Sequence, residues 1–277
     1  MPTSAACWRN EAMYDAARAE RTAKQLYADH KAKRAIGALP PDLAVADLAQ
    51  AYAVQDRLQA LYQAEGGRKL AGWKVALTTS VMQKMVGVDH PCEGGIFSDR
   101  VHRGEARLRA ADYVHLGVES EIAVEIARDV PAGAKPHSRA SIADHVAALL
   151  PAIEIVDDRN CVYGSLAAPV LIADNSFNFG CVVGQPVRDW HAIDLANLKG
   201  RMLINGQVVG EGRGADVMGH PFEALAWLAN SLNHRGRRLH AGDIVLMGSI
   251  VATKWLKPGD RMATEIDGLG RAGVVVE

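Results

Sequence analysis

The stretch Leu116-Gly-Val-Glu-Ser-Glu-Ile-Ala-Val124 carries two carboxylates two positions apart. In a β-strand successive side chains alternate faces, so Glu119 and Glu121 share one face while Val118, Ser120 and Ile122 take the other. A second stretch, Leu150-Pro-Ala-Ile-Glu-Ile-Val156, sets Glu154 between two isoleucines on a strand that reads as buried. An ionised carboxylate is rarely buried without a pair, a proton or a metal. Three converging carboxylates would suit a hard divalent cation, Mg²⁺ or Mn²⁺. Two other readings stay open. Glu119 and Glu121 fit the solvent face of an antiparallel strand, and Glu154 fits a buried salt bridge to an arginine.

Upstream, residues from about Glu11 to Gly66 are Ala-rich with apolar positions at helical spacing, which predicts two helices broken at Pro40-Pro41 and ended by Gly66-Gly67. Beyond Gly67 the pattern turns to short β-type runs: Gly72-Trp-Lys-Val-Ala-Leu, Val170-Leu-Ile-Ala and Asn178-Phe-Gly-Cys-Val-Val-Gly. Met202 to Val209 reads as a hairpin, Asn205-Gly206 supplying the positive φ angles of a type I′ turn. A helix is predicted from Pro221 through Asn230, with Pro at its first position, and another over Ser141 to Leu150. Helices first and then mostly strands, without βαβ alternation, indicate an α+β fold with a rolled or barrel-like sheet. The division expected is an N-terminal helical region, 1–66, and a catalytic domain, 67–277. Gly210-Glu-Gly-Arg-Gly lacks the spacing of a dinucleotide fingerprint and the Lys-Ser/Thr of a P-loop, and reads as a flexible active-site loop.

The 277 residues are 49% apolar with a net charge of −1, which describes an ordinary globular protein. Basic and acidic residues are interspersed, so nucleic acid is not the expected partner. The N-terminal ten residues have no apolar h-region and no apolar run is long enough to span a bilayer, so the expected location is the cytoplasm, with no membrane partner. Cys7, Cys92, Cys161 and Cys181 are too scattered for a zinc site, and structural disulfides are not expected there.

Eight segments occur in a telling order: Gly72-Trp-Lys-Val-Ala-Leu-Thr-Thr, Gly87-Val-Asp-His-Pro, Val118-Glu-Ser-Glu-Ile-Ala, Leu150-Pro-Ala-Ile-Glu-Ile-Val, Ala173-Asp-Asn, Gly212-Arg-Gly, Gly219-His-Pro and Gly242-Asp-Ile-Val-Leu-Met-Gly. Together they resemble the 2-keto-4-pentenoate hydratase and 4-oxalocrotonate decarboxylase family of the fumarylacetoacetate hydrolase superfamily, over most of the chain. The resemblance implies a mixed β-roll and a Mg²⁺- or Mn²⁺-dependent lyase of aromatic-ring meta-cleavage pathways. Its substrates would be small 2-oxo acids with a conjugated double bond. Glu119, Glu121 and Glu154 fall on the family's ligand positions. Homo-oligomers are implied, as is association with a pathway decarboxylase or hydratase.

A metal chelated by the carboxylate and ketone oxygens of a 2-oxo acid stabilises a developing enolate, which serves hydration at C4 and also loss of CO₂ from a related diacid. Hydration is the first expectation and decarboxylation the second; a catalytically weak partner subunit is a third of a different kind. Hydrolytic C–C cleavage is disfavoured because the lid motifs of the superfamily's hydrolases are missing. Lys74 is the candidate proton-handling or charge-stabilising residue, with a pKa expected to be lowered by burial. Asp174, Asn175 and Ser249 are candidates for contact with substrate or with the groups that hold the site, and His220 is read as a helix cap ahead of a catalyst. Departures from the family pattern bear on substrate. Cys92 stands where an acidic residue is usual, with Glu93 beside it as a candidate replacement. Lys254 reads either as a contact for a second substrate carboxylate or as a solvated lysine.

Overall fold

The computed structural model describes residues 16–133 and 135–277. Cys7, the N-terminal ten residues and the predicted helical residues 11–15 therefore lie outside the described part. Helix α1 spans Ala16–Lys31 and α2 spans Leu48–Ala64, where Asp47 caps the N-terminus by accepting from the Gln50 N–H at 2.8 Å. Pro40-Pro41 falls in the link between them, and α2 stops just before Gly66-Gly67, both of which have positive φ.

The chain then gives β1 (Leu70–Ala76), α3 (Ser80–Val86), β2 (Cys92–Phe97), β3 (Val101–Arg103), β4 (Glu105–Leu108), β5 (Leu116–Ile126), α4 (Arg139–Ala143), β6 (Val146–Asp157) and α5 (Ala168–Ala173). It continues with β7 (Asn178–Val183), β8 (Lys199–Ile204), β9 (Gln207–Arg213), α6 (Pro221–His234), β10 (Ile244–Trp255), β11 (Arg261–Ile266) and β12 (Gly270–Val276). Seven strands form one sheet in the order β2-β1-β10-β5-β6-β7-β3, and five form another in the order β4-β12-β11-β8-β9. Parallel pairs (β1 with β10, β3 with β7, β4 with β12) mix with antiparallel ones. This is the α+β arrangement that the element order predicts.

Alternation along β5 decides which face does what. Val118 and Ile122, with Ile153 and Ile155 of β6, bury into a core shared with Met262, Ile266 and Val274 of the smaller sheet and Leu225 and Leu228 of α6. Ser120 hydrogen-bonds Thr264 across that core. The glutamates take the other face, where α2, α5 and the turn after α5 pack. Among the described residues no helix is long and apolar enough to cross a membrane.

Three local expectations need correction. The helix predicted over Ser141–Leu150 stops at Ala143, because Val146-Ala-Ala-Leu-Leu is the buried start of β6; an apolar run with both faces buried has no periodicity to separate strand from helix. Val170-Leu-Ile-Ala is helical, Pro169 sitting in the first turn of α5. Gly210-Glu-Gly-Arg-Gly is the end of β9, not a flexible loop. A Cβ on Gly212 would lie 1.8 Å from the Ile250 carbonyl oxygen and one on Gly210 2.3 Å from a Val251 methyl, so these glycines admit close approach of β10 rather than of a ligand. The hairpin at Asn205-Gly206 (φ 52° and 80°) and the helix from Pro221 form as read, and His220 caps that helix by accepting from the Phe222 N–H at 3.1 Å.

Two buried ion pairs pin the helices to the sheet. Glu93, fully buried, accepts from Arg235, Tyr52 and Ser231, which links β2, α2 and the end of α6. Asp174 meets His30 at 2.6 Å and Arg159 at 2.8 Å, tying α1 to the end of α5. Burial alone would raise the Asp174 carboxyl, but His30 and Arg159 outweigh it and hold it below the usual range. Removing one partner of such a pair strands a buried charge at a cost of about 3–5 kcal/mol. Arg235→Ala is therefore expected to lower unfolding stability by about 3 kcal/mol or more. Urea denaturation measures this, and a loss under about 1 kcal/mol would show that the Glu93 carboxylate is tolerated unpaired.

Candidate active site

In the β5–β6 ladder Glu119 stands directly opposite Glu154, and on the other side of β5 Ser249 of β10 pairs with Glu121. One carboxylate oxygen from each of Glu119, Glu121 and Glu154 lies within 4.8 Å of the others. Glu121 and Glu154 are buried and Glu119 faces the cavity described below. Like charges set opposite each other on a ladder are destabilising, so what surrounds them decides whether the site is tenable.

Thr253 donates to Glu119, and Lys74 and Asn178 each donate to Glu154 Oε1 at 3.0 Å. The Gly248 N–H donates to Glu121 Oε2 at 2.7 Å. That N–H is aimed by an irregularity in the β10–β5 register between Leu246 and Ser249. Only glycine fits there: φ is 120° and a Cβ would fall 2.6 Å from the Thr78 side chain. Glu121 Oε1 is buried with no hydrogen-bond partner among the described residues. Burial first, and Glu154 second, push the Glu119 and Glu121 carboxyls up, Glu121 well above the ordinary carboxylate range.

The two open readings can now be resolved. Glu121 is fully buried, so the pair is not a solvent face. Glu154 does form a buried salt bridge, but to Lys74 rather than to an arginine. One ammonium against three carboxylates leaves two negative charges unmatched if all are ionised. Three hard oxygen donors, an orphaned carboxylate oxygen and a deficit of two charges fit a divalent cation. The expected lowering of the Lys74 pKa is overturned. Burial pulls its ammonium down, yet Glu154 and Glu119 outweigh burial and hold it above the ordinary lysine value.

Above the cluster opens a cavity of about 680 Å³ that reaches Lys74, Glu119, Thr78, Ser176, Ser249 and Thr253. Ser249 thus lies where substrate contact was expected. Asp174 and Asn175 do not line it: Asp174 is committed to His30 and Arg159, while Asn175 exchanges hydrogen bonds with Gly95 at 2.8 and 2.9 Å and accepts from Gln59. Their part is to hold the turn Asn175-Ser176-Phe177, whose φ values of 56°, 52° and 59° are uncommon without glycine and which turns Ser176 and Phe177 to the cavity. Glu93 cannot replace an acid at position 92, because it lies on the opposite face of β2. Cys92 approaches Ser176 Oγ at 3.6 Å, and burial pushes its thiol up to about 12, so it is neutral. Lys254 is not among the residues lining the cavity.

Sequence reasoning passed over Asn178, Thr253 and the Gly248 N–H. Asn178 opens an otherwise apolar strand, which was a signal; Thr253 and Gly248 depend on irregular register in β10, for which no sequence signal exists.

A carboxylate cluster at the floor of a cavity in a mixed β-roll defines a divalent-metal enzyme. The family described as fumarylacetoacetate (FAA) hydrolase C-terminal matches residues 98–277, and the chain belongs to that family. It is 35% identical over 243 residues to 2-keto-4-pentenoate hydratase 1 of Dechloromonas aromatica (strain RCB), covering 87% of this chain and 90% of that one. It is 30% identical over 235 residues to 4-oxalocrotonate decarboxylase of Pseudomonas putida, covering 83% and 84%. The solved structure of 4-oxalocrotonate decarboxylase from Pseudomonas putida G7, complexed with magnesium and adipate, matches with a TM-score of 0.87 and 26% identity, covering 94% and 98%. Hydratases and decarboxylases are both lyases, and the chain stands among them.

Replacing even a supporting group of a metal site typically costs 10- to 100-fold in affinity. Glu121→Gln, which removes a charge from the cluster itself, is expected to weaken Mg²⁺ binding by at least about tenfold in isothermal titration. Equal affinity in the two proteins would dismiss the three-glutamate site.

Proposed function

We propose that this chain is a lyase that hydrates a 2-hydroxy-2,4-dienoate to a 4-hydroxy-2-oxo acid. The observation that carries the reading is the under-neutralised trio Glu119, Glu121 and Glu154, of which Glu119 reaches the cavity, beside Lys74. The trio would hold Mg²⁺ or Mn²⁺, which would supply Lewis-acid withdrawal of electron density from a 2-oxo acid. Lys74, 3.0 Å from Glu154 and lining the cavity, stands where it can present N–H donors to negative charge developing on the substrate oxygen. The hydroxyls of Thr78, Ser176 and Ser249 supply the other polar contacts of the cavity. The enol proton leaves O2 and a proton is added at C5, giving a 3-enoate; water then adds its hydroxyl at C4 and a proton at C3, for a net gain of one water.

Residues 67–277 form the catalytic unit in this reading and 1–66 an N-terminal helical region, of which α2 packs on the glutamate-bearing side. A cytoplasmic homo-oligomer, with a pathway decarboxylase as associate, completes it. Decarboxylation of a related diacid is the second reading, supported by the likeness to the decarboxylase structure. The neutral Cys92 supports the weaker-subunit variant, in which turnover needs the partner enzyme.

Ultraviolet absorbance tests the proposal. Loss of the dienol band of 2-hydroxypenta-2,4-dienoate is expected with Mg²⁺ or Mn²⁺ and not with chelator, yielding 4-hydroxy-2-oxopentanoate. CO₂ release from the diacid with no loss of the dienol band would replace hydration by decarboxylation. Lys74→Ala is expected to lower kcat by about 100-fold or more, the scale of removing one preorganised donor. Undiminished kcat would remove Lys74 from the reaction.

A further inference from the structure

Four of the six large apolar side chains exposed among the described residues gather at one place. Val81, Met82 and Met85 on α3 and Trp255 line the cavity, whereas Val162 and Val208 do not. Val81 is 74% exposed and Met85 42%, and together with Met82 and Trp255 they make a contiguous apolar patch rather than scattered surface residues. Leu166 and Leu171 continue this wall inward.

Trp255 is fixed before any ligand arrives. Its ring packs on Gly117, where a Cβ would lie 2.5 Å from it, and stacks on the His115 ring at 3.9 Å and 13°. His115 is in turn held by Asp158 at 2.8 Å. A rigid aromatic plate at the edge of an apolar wall binds planar or branched hydrocarbon with little ordering cost.

Charge is distributed as unevenly. Among the described residues that line the cavity, Lys74 is the one Lys, Arg or His, and it is committed to Glu154. The other acidic side chain reached besides Glu119 is Asp216. A carboxylate at the far end of a substrate would therefore lose water and face Asp216, whose partner Arg213 stands 4.0 Å from it and does not line the cavity.

We infer that the cavity selects a 2-hydroxy-2,4-dienoate monoacid bearing an apolar tail on C5, larger than methyl, seated between α3 and Trp255, and that it rejects a dicarboxylate. This rests on the proposed hydratase reading for the head of the substrate and adds the class of its tail. It also separates the two lyase reactions, since the decarboxylation substrate is the diacid.

The experiment measures kcat/KM with Mg²⁺ for four dienoates: 2-hydroxypenta-2,4-dienoate, its 5-butyl homologue, its 5-isopropyl homologue and its 5-carboxylate. Isopropyl and carboxylate are nearly isosteric, so their ratio reports charge alone. The butyl compound is expected to exceed the unsubstituted one by at least about tenfold, within the range that apolar groups earn in a fitted pocket. The isopropyl compound is expected to exceed the carboxylate by at least about 100-fold. In Trp255→Ala the butyl-to-unsubstituted ratio should fall towards one; a ratio within a single protein does not depend on how much of the variant folds. Equal or better turnover of the carboxylate, or no advantage for butyl, overturns the inference while leaving hydration standing. If no dienoate reacts, hydration fails and the tail is read by binding instead. Titration with Mg²⁺ and the unreactive 2-oxo-6-methylheptanoate or 2-oxohexanedioate should still favour the monoacid by at least about tenfold, and the reverse order overturns the inference.

Discussion

Mutual repulsion of three carboxylates under little water is the constraint on which the rest of the site depends. With their oxygens within 4.8 Å and an effective dielectric constant of about 20, each ionised pair costs at least about 3.5 kcal/mol. Everything around the cluster answers that cost in part. Lys74 and Asn178 stabilise Glu154, Thr253 stabilises Glu119, and an out-of-register glycine turns its N–H onto Glu121. None of these brings a second positive charge. The protein has assembled a site whose remaining deficit matches an ion with two charges, and has left one carboxylate oxygen of Glu121 with nothing else to bind.

Other buried acids in the same chain show what a purely structural carboxylate looks like. Glu93 has an arginine, a tyrosine and a serine; Asp174 has an arginine and a histidine. Each is matched by a cation and each ties a helix to the sheet. Burial and an acidic side chain are thus common to both groups. Compensation is what separates them, and the uncompensated group is the one that opens onto the large cavity.

The same contrast explains what could be read from the residues alone. Period-two alternation in Leu116–Val124 fixes which side Glu119 and Glu121 share, and β5 obeys it. Asn205-Gly206 and Pro221 work equally well because a required φ is a local property. Where burial is two-sided the pattern is silent, so Val146–Leu150 and Val170–Ala173 exchange strand for helix. Asp174 and Asn175 stand beside the site in sequence, yet their side chains turn away to hold the bend that presents Ser176. Proximity along the chain gives a neighbourhood, whereas direction depends on partners such as His30 and Gly95 that lie far off in sequence.

The Lys74 pKa illustrates how far residue type can mislead without its surroundings. An apolar strand suggests desolvation and a neutral amine; the register that places Lys74 on the same face as the cluster supplies two carboxylates that reverse the sign. A lysine so held can donate hydrogen bonds to negative charge on a neighbouring oxygen. The cavity runs from Lys74 and Glu119 to an edge of valine, methionine and tryptophan, and in the proposed reading that gradient would orient an amphipathic acid before any chemistry begins. Head and tail are recognised by different physics, ionic below and dispersive above, so substitutions at α3 or Trp255 can alter which acid is chosen while the carboxylate cluster keeps its geometry.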